Sequence, residues 1–154
     1  ITRNNLKDEI NIQESAVLDK SDFINFTRIV NNTTGSHISG MKENPYGPID
    51  YFKVKTVPIS EIIEGIDLIK LDAEGSESII LKSLSIDQIE NLDIILEVSS
   101  SKNAKEIFNH FSKFERIKLF SQKKGWNEVS DFNDMPLSHK DGSLFISFNG
   151  EPPF

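Results

Sequence analysis

Two spacings of apolar residues divide the chain. Up to residue 58 the hydrophobic positions alternate loosely with polar ones, as they do in half-buried strands. Ile10, Ile12 and Ala16 or Val17 mark a strand over residues 10–18. Residues 23–30 (FINFTRIV) are dense in β-formers and predict a second strand, and Phe52, Val54 and Val57 mark a third over residues 51–57. Residues 31–48 between them are rich in Asn, Thr, Ser, Gly and Pro, the composition of a long turn region. Pro58 ends the third strand, because proline has no N–H to give a ladder. Beyond it the pattern changes to strand alternating with helix. Ser60 predicts an N-cap for a short helix over residues 61–64 that Gly65 closes. Residues 66–71 and 93–98 are apolar on both faces, as buried parallel strands are. A helix starts near Ser76 or Glu77, and Ser85 with Gln88 forms a capping box for another short turn. Ala104, Ile107, Phe108 and Phe111 recur at helical spacing within residues 102–114. Residues 117–120 and 143–148 complete the pattern as terminal strands, with a polar loop containing Trp126 between them. This alternation predicts an α/β domain whose sheet is mainly parallel, with an antiparallel terminal strand.

Composition narrows the function more than the fold. At 154 residues the chain suits one domain over 1–154, and 11 Phe within a 37% hydrophobic fraction supply a core. A net charge of −7, from 24 acidic against 17 basic residues, argues against nucleic acid as a partner. The absence of cysteine excludes disulfides and Cys-based zinc sites. No apolar run approaches the roughly 20 residues that span a bilayer, so no membrane partner is expected. Residues 1–8 do not read as a signal peptide, which sets cytoplasmic as the expected location. The chain opens on Ile rather than Met, and the expectation is of a fragment.

The chemistry concentrates in residues 67–77, DLIKLDAEGSE. In open α/β sheets, ligands bind outside the carboxyl ends of the strands. Lys70 and Asp72, two apart on a strand, share a face. Asp72 is expected at the strand's mouth, Glu74 in the turn, and Glu77 in the first helical turn, where the macrodipole alone would favour a carboxylate. Glu97 ends the next parallel strand and would emerge near Asp72 if the two strands are neighbours. Asp72, Glu74 and Glu97 could together hold a hard cation such as Mg²⁺ or Ca²⁺. They equally suit proton abstraction from a hydroxyl, or a solvated strand end on which Lys70 pairs one acid. His37 lies in the polar loop, where it would face a substrate or solvent. His110 and His139 have no metal-ligand partner at helical spacing. Residues 35–42 (GSHISGMK) look like a phosphate-binding loop only superficially, since Met41 displaces the lysine. Asn25-Phe26-Thr27 and Asn32-Thr33-Thr34 fit the glycosylation pattern by chance. Trp126 is read as covering the end of the sheet.

The Lys70-x-Asp72-x-Glu74-Gly75-x-Glu77 run resembles the signature of FkbM-type methyltransferases, S-adenosylmethionine-dependent enzymes. The likeness extends ahead of it to residues 57–62 (VPISEI), behind it to residues 95–98 (ILEV), and to Ser15-Ala16-Val17 with the loop at residues 35–38. It covers nearly the whole chain from about Asn11. The resemblance implies a Rossmann-like sheet and methyl transfer to an oxygen, on a glycan or secondary-metabolite hydroxyl. It implies Asp72, Glu97 and Lys70 as catalytic residues, Ser15, Ala16 and Asp72 at the cofactor, and Glu74, Glu77 and His37 at the substrate. The family's Gly-rich first turn is missing: no G-x-G-x-G occurs among the 8 glycines. Nothing before residue 10 could hold a first βαβ unit, so the expectation is a domain truncated at its amino end, with an incomplete cofactor site. The first strand of such a sheet would lie beside residues 66–71. Without it that strand becomes an edge, which either residues 10–18 folding across it or a second copy in a homodimer would cover. Two readings of other classes compete: a non-catalytic binding module that keeps the fold, and a metal-dependent enzyme built on the same acids.

Overall fold

A computed structural model describes residues 6, 9–42, 47–148 and 150–152. The described residues form two mixed sheets with three α-helices, an α/β architecture. The first sheet has the order β1-β4-β2-β3, built from β1 (Ala16–Leu18), β2 (Phe23–Ile29), β3 (His37–Ile38) and β4 (Ile49–Pro58). β2 and β4 form a long antiparallel ladder from Phe23↔Lys55 to Ile29↔Ile49, and β1 runs parallel to the end of β4, from Ala16↔Thr56 to Leu18↔Pro58. The expected strand over residues 10–18 shrinks to its last three residues; Ile10 and Ile12 lie exposed outside it. β4 runs through Val57 and stops at Pro58, as the missing N–H requires. The helix expected at residues 61–64 is instead a 3₁₀ turn over Ile59–Glu61, entered from Pro58 rather than capped by Ser60.

The second sheet has the order β5-β6-β9-β7-β8: β5 (Leu68–Leu71), β6 (Asp93–Glu97), β7 (Lys118–Ser121), β8 (Asn127–Glu128) and β9 (Ser143–Ser147). The expectation of a mainly parallel sheet fails here. Only the β5–β6 ladder is parallel, and the β6–β9, β9–β7 and β7–β8 ladders are antiparallel. The reason is adjacency, not direction. β5, β6 and β7 do run the same way, as helical crossovers demand. β9, however, inserts between β6 and β7 and opposes both.

The crossovers are α1 (Glu77–Lys82) and α2 (Ile86–Ile89) between β5 and β6, and α3 (Ser101–Phe111) between β6 and β7. The Ser85–Gln88 capping box starts α2, and Ser100 Oγ accepts from the Asn103 N–H to start α3. Ile80 and Leu81 of α1 and Ala104, Ile107 and Phe111 of α3 pack with Ile94, Leu96, Leu144 and Ile146 of the sheet into one core. β6 and β9 are paired on both sides, and Ile94, Leu144, Phe145 and Ile146 on them are fully buried. β5 is paired on one side alone among the described residues, and Leu68 is 54% exposed. No helix among the described residues is long and apolar enough to cross a membrane.

Candidate functional site

Parallel pairing of β5 with β6 sets their carboxyl ends side by side. Leu71 is level with Leu96, both buried in the core, so Asp72 and Glu97 are the next residues on the two strands. Asp72 is exposed and Glu97 half-buried. The expected same-face pair is present: Lys70 Nζ lies 3.8 Å from Asp72 Oδ2, with both side chains well exposed. Such a pair is worth little to stability, about 0–1 kcal/mol.

The turn after Asp72 is held tightly. Glu74 takes φ 47° and Gly75 φ 112°. A Cβ on Gly75 would sit 2.7 Å from the Met41 carbonyl oxygen, so both the backbone angle and the close approach require glycine. Glu77, from the first turn of α1, folds back under this turn. The Ala73 N–H donates to its Oε1 at 3.0 Å, and the Gly75 N–H to both oxygens at 3.2 and 3.1 Å. Ser99 Oγ and Asn103 Nδ2 donate to its Oε2 at 3.1 and 2.9 Å. Asn103 Nδ2 also reaches the Gly75 carbonyl at 3.2 Å, which ties the turn to α3. Glu77 is 1% exposed. A buried carboxylate is tolerable only when paired or hydrogen-bonded in this way.

Several expected site residues are therefore placed differently from the expectation. Glu77 cannot face a substrate, because its carboxylate is spent inside the protein. His37 is not in an open loop but in β3, 2% exposed, with Nδ1 2.9 Å from the Gly35 carbonyl oxygen. Glu74 turns to Lys42, with Oε2 2.7 Å from Nζ. That ion pair draws it away from the proposed three-carboxylate cation site, and among the described residues no group of three His, Cys, Asp or Glu side chains could hold a metal ion. Asp72 and Glu97 remain at the mouth with Lys70. Ser15 and Ala16 line a cavity of about 400 Å³ beside β4, with Glu14, Phe26, Lys53, Val54 and Lys55. Its volume falls in the range of small-molecule sites, and Ser15 Oγ is buried with no hydrogen-bond partner among the described residues. The wall of this cavity takes no residue from the Asp72 turn.

Asn103, Ser99 and Lys42 were not legible as site residues. For Asn103 a signal existed. It shares a helix face with Ile107 and Phe111 at spacings of four, and a polar residue on a buried stripe needs a polar partner.

Residues 2–128 match the family model described as the Methyltransferase FkbM domain. Neither a curated protein nor a solved structure matches the chain. The matched span contains β1 to β8 and the entire turn from Lys70 to Glu77 with its Asn103 tie. It is well over half of the chain, which thus belongs to the FkbM methyltransferase family.

Proposed function

We propose that the mouth of β5 and β6 serves S-adenosylmethionine-dependent methyl transfer to a hydroxyl of a glycan or small molecule. The observation that carries this reading is Asp72: an exposed carboxylate at the end of a parallel strand, beside Glu97, above a turn that Glu77 locks. When bound, the cofactor supplies a methyl group made electrophilic by a sulfonium cation. A carboxylate at Asp72 suits that cation's charge, and the unpartnered Ser15 hydroxyl with Ala16, in a cavity that takes no residue from the Asp72 turn, suits a polar group. Asp72 or Glu97 takes the proton from the acceptor oxygen, and Lys70 holds the Asp72 carboxylate on the open side. The turn's own hydrogen bonds fix where Asp72 leaves the strand, so the base is positioned before a substrate arrives.

The test is transfer of a labelled methyl group to a panel of hydroxyl acceptors, with Asp72→Asn as the diagnostic variant. Loss of a general base costs about 10²–10⁴-fold in rate, and that loss is expected. The melting temperature should barely move, since Asp72 is exposed and weakly paired. An Asn variant as active as the parent would remove Asp72 from the chemistry, and one that melts far earlier would make it structural.

A further inference from the structure

One stretch of sheet face, residues 23–25 of β2 against 51–55 of β4, lies outside both the core and the mouth at Asp72, although Ile29 and Val57 further along the same face are buried. Along β4, Tyr51, Lys53 and Lys55 alternate and so share a face. Their cross-strand neighbours on β2 are Thr27, Asn25 and Phe23. Thr27 is buried, but Asn25, Lys53 and Lys55 are exposed, and Phe23 and Tyr51 are 67% and 64% exposed. On the opposite face of the same ladder Ile24 and Phe26 pack on the main core, while Phe52 there is 42% exposed and Arg28 and Asp50 are exposed. Packing therefore does not account for two large aromatic side chains left in water, and such exposed aromatic patches mark binding surfaces.

The charge on this face runs against that of the molecule. The chain carries −7 overall, yet the exposed cross-strand pairs hold two lysines and no acid. Asp50 pairs with Arg28 on the opposite face. Among the described residues neither Lys53 nor Lys55 makes an ion pair. The partner that complements the face is anionic, has flat C–H surfaces to lie on aromatic rings, and offers hydroxyls to the Asn25 amide and the Tyr51 phenol. We infer that the outward face of the β2–β4 ladder binds an acidic oligosaccharide. Two lysines match a carbohydrate with scattered carboxylates. A nucleic acid, charged at every phosphate, depends on many more cations and would meet the chain's net negative charge. This inference rests on the ladder, whose Lys53 and Lys55 also line the cavity of Ser15 and Ala16, and holds whatever reaction the Asp72 mouth performs.

The experiment is a calorimetric or NMR titration of the chain, with no methyl donor, using a carboxylated oligosaccharide such as an oligogalacturonate. Its methyl-esterified counterpart and a single-stranded oligonucleotide of equal charge serve as comparisons. Saturable binding is expected for the carboxylated probe only, weakening as salt is raised. Phe23→Ala and Tyr51→Ala should each weaken it roughly two- to tenfold, the worth of an aromatic contact. Lys53→Gln with Lys55→Gln should weaken it about tenfold and flatten the salt dependence. Arg28→Gln, on the opposite face, should change nothing. Because all four residues are exposed, these variants should melt with the parent; if an aromatic variant does not, the lysine pair decides alone. Absence of saturable binding, equal binding of the esterified or nucleic-acid probe, or indifference to the lysine pair overturns the inference.

Discussion

Glu77 shows how far a motif can be read without its geometry. As a sequence, the Lys70–Glu77 run presents four charged side chains around one glycine, with nothing to set one apart from another in access to solvent. The backbone decides otherwise: positive φ at Glu74 and Gly75 turns the chain so that Glu77 comes back beneath it. Strand parity predicts where Lys70 and Asp72 point, and it stops predicting at the turn, which is why the Lys70–Asp72 pair was legible and the fate of Glu77 was not. The burial gives a prediction at this scale. Glu77→Ala leaves two N–H groups, a hydroxyl and an amide without their acceptor, and breaking such a buried charged network costs on the order of 3–5 kcal/mol. Glu77→Gln, which keeps one acceptor oxygen, should cost less, and Asn103→Ala should fall between these and the parent. Urea unfolding checks the order. An alanine variant as stable as the parent would show that the turn holds without its carboxylate.

Elements were legible in proportion to how strongly one period repeated. α3 was, because four apolar residues recur at helical spacing and Ser100 caps it one residue before its start. The 3₁₀ turn at Ile59–Glu61 was not, since three residues carry no period. α3 also sets a pH dependence. His110 is half-buried, with its ring 4.8 and 5.6 Å from those of Phe111 and Phe114. Desolvation there, helped by Lys113 and Lys82, holds it below its usual value of 6.5. The hydrogen bond from Lys82, 2.8 Å long, with a second from Ser78, holds Glu106 below 4.5. Both folded-state values are depressed, so on acidification the unfolded chain takes up each proton first. Each contribution is complete above the unfolded value and is lost as pH falls towards the folded one. The melting temperature should therefore begin to decline as pH drops past about 6.5 and decline again past about 4.5. His110→Gln should remove the first decline and Glu106→Gln diminish the second. Melts across this range that are identical for parent and His110→Gln would contradict the assignment.

At the scale of the whole molecule, alternation of strand and helix gave the direction of β5, β6 and β7 but not the insertion of β9 between the last two, because neighbours in a sheet are chosen by long-range packing that no local period records. The same limit applies to β5. Its composition, Leu68-Ile69-Lys70-Leu71, is that of a central strand, yet it is the outermost strand of its sheet among the described residues. The alternative cover, residues 10–18, contributes only β1, and β1 pairs with β4. Leu68 at 54% exposure and Ile66 at 43% thus flank a row of N–H and C=O groups open to another strand, with Lys70 as the one basic side chain on it. We expect a second copy to take that place. A two-fold axis through the sheet pairs like with like in parity, so an antiparallel pairing centred on Ile69 would set Leu68 of each copy against the aliphatic stem of Lys70 in the other and cover it. Light scattering at micromolar concentration should then report twice the mass of the chain, 17.4 kDa. Leu68→Asp should return it to a single copy without lowering stability within the copy, since Leu68 contributes little to the core. A monomer whose amides from Leu68 to Leu71 exchange slowly would mean that the chain protects its own edge, and would end the case for pairing through β5.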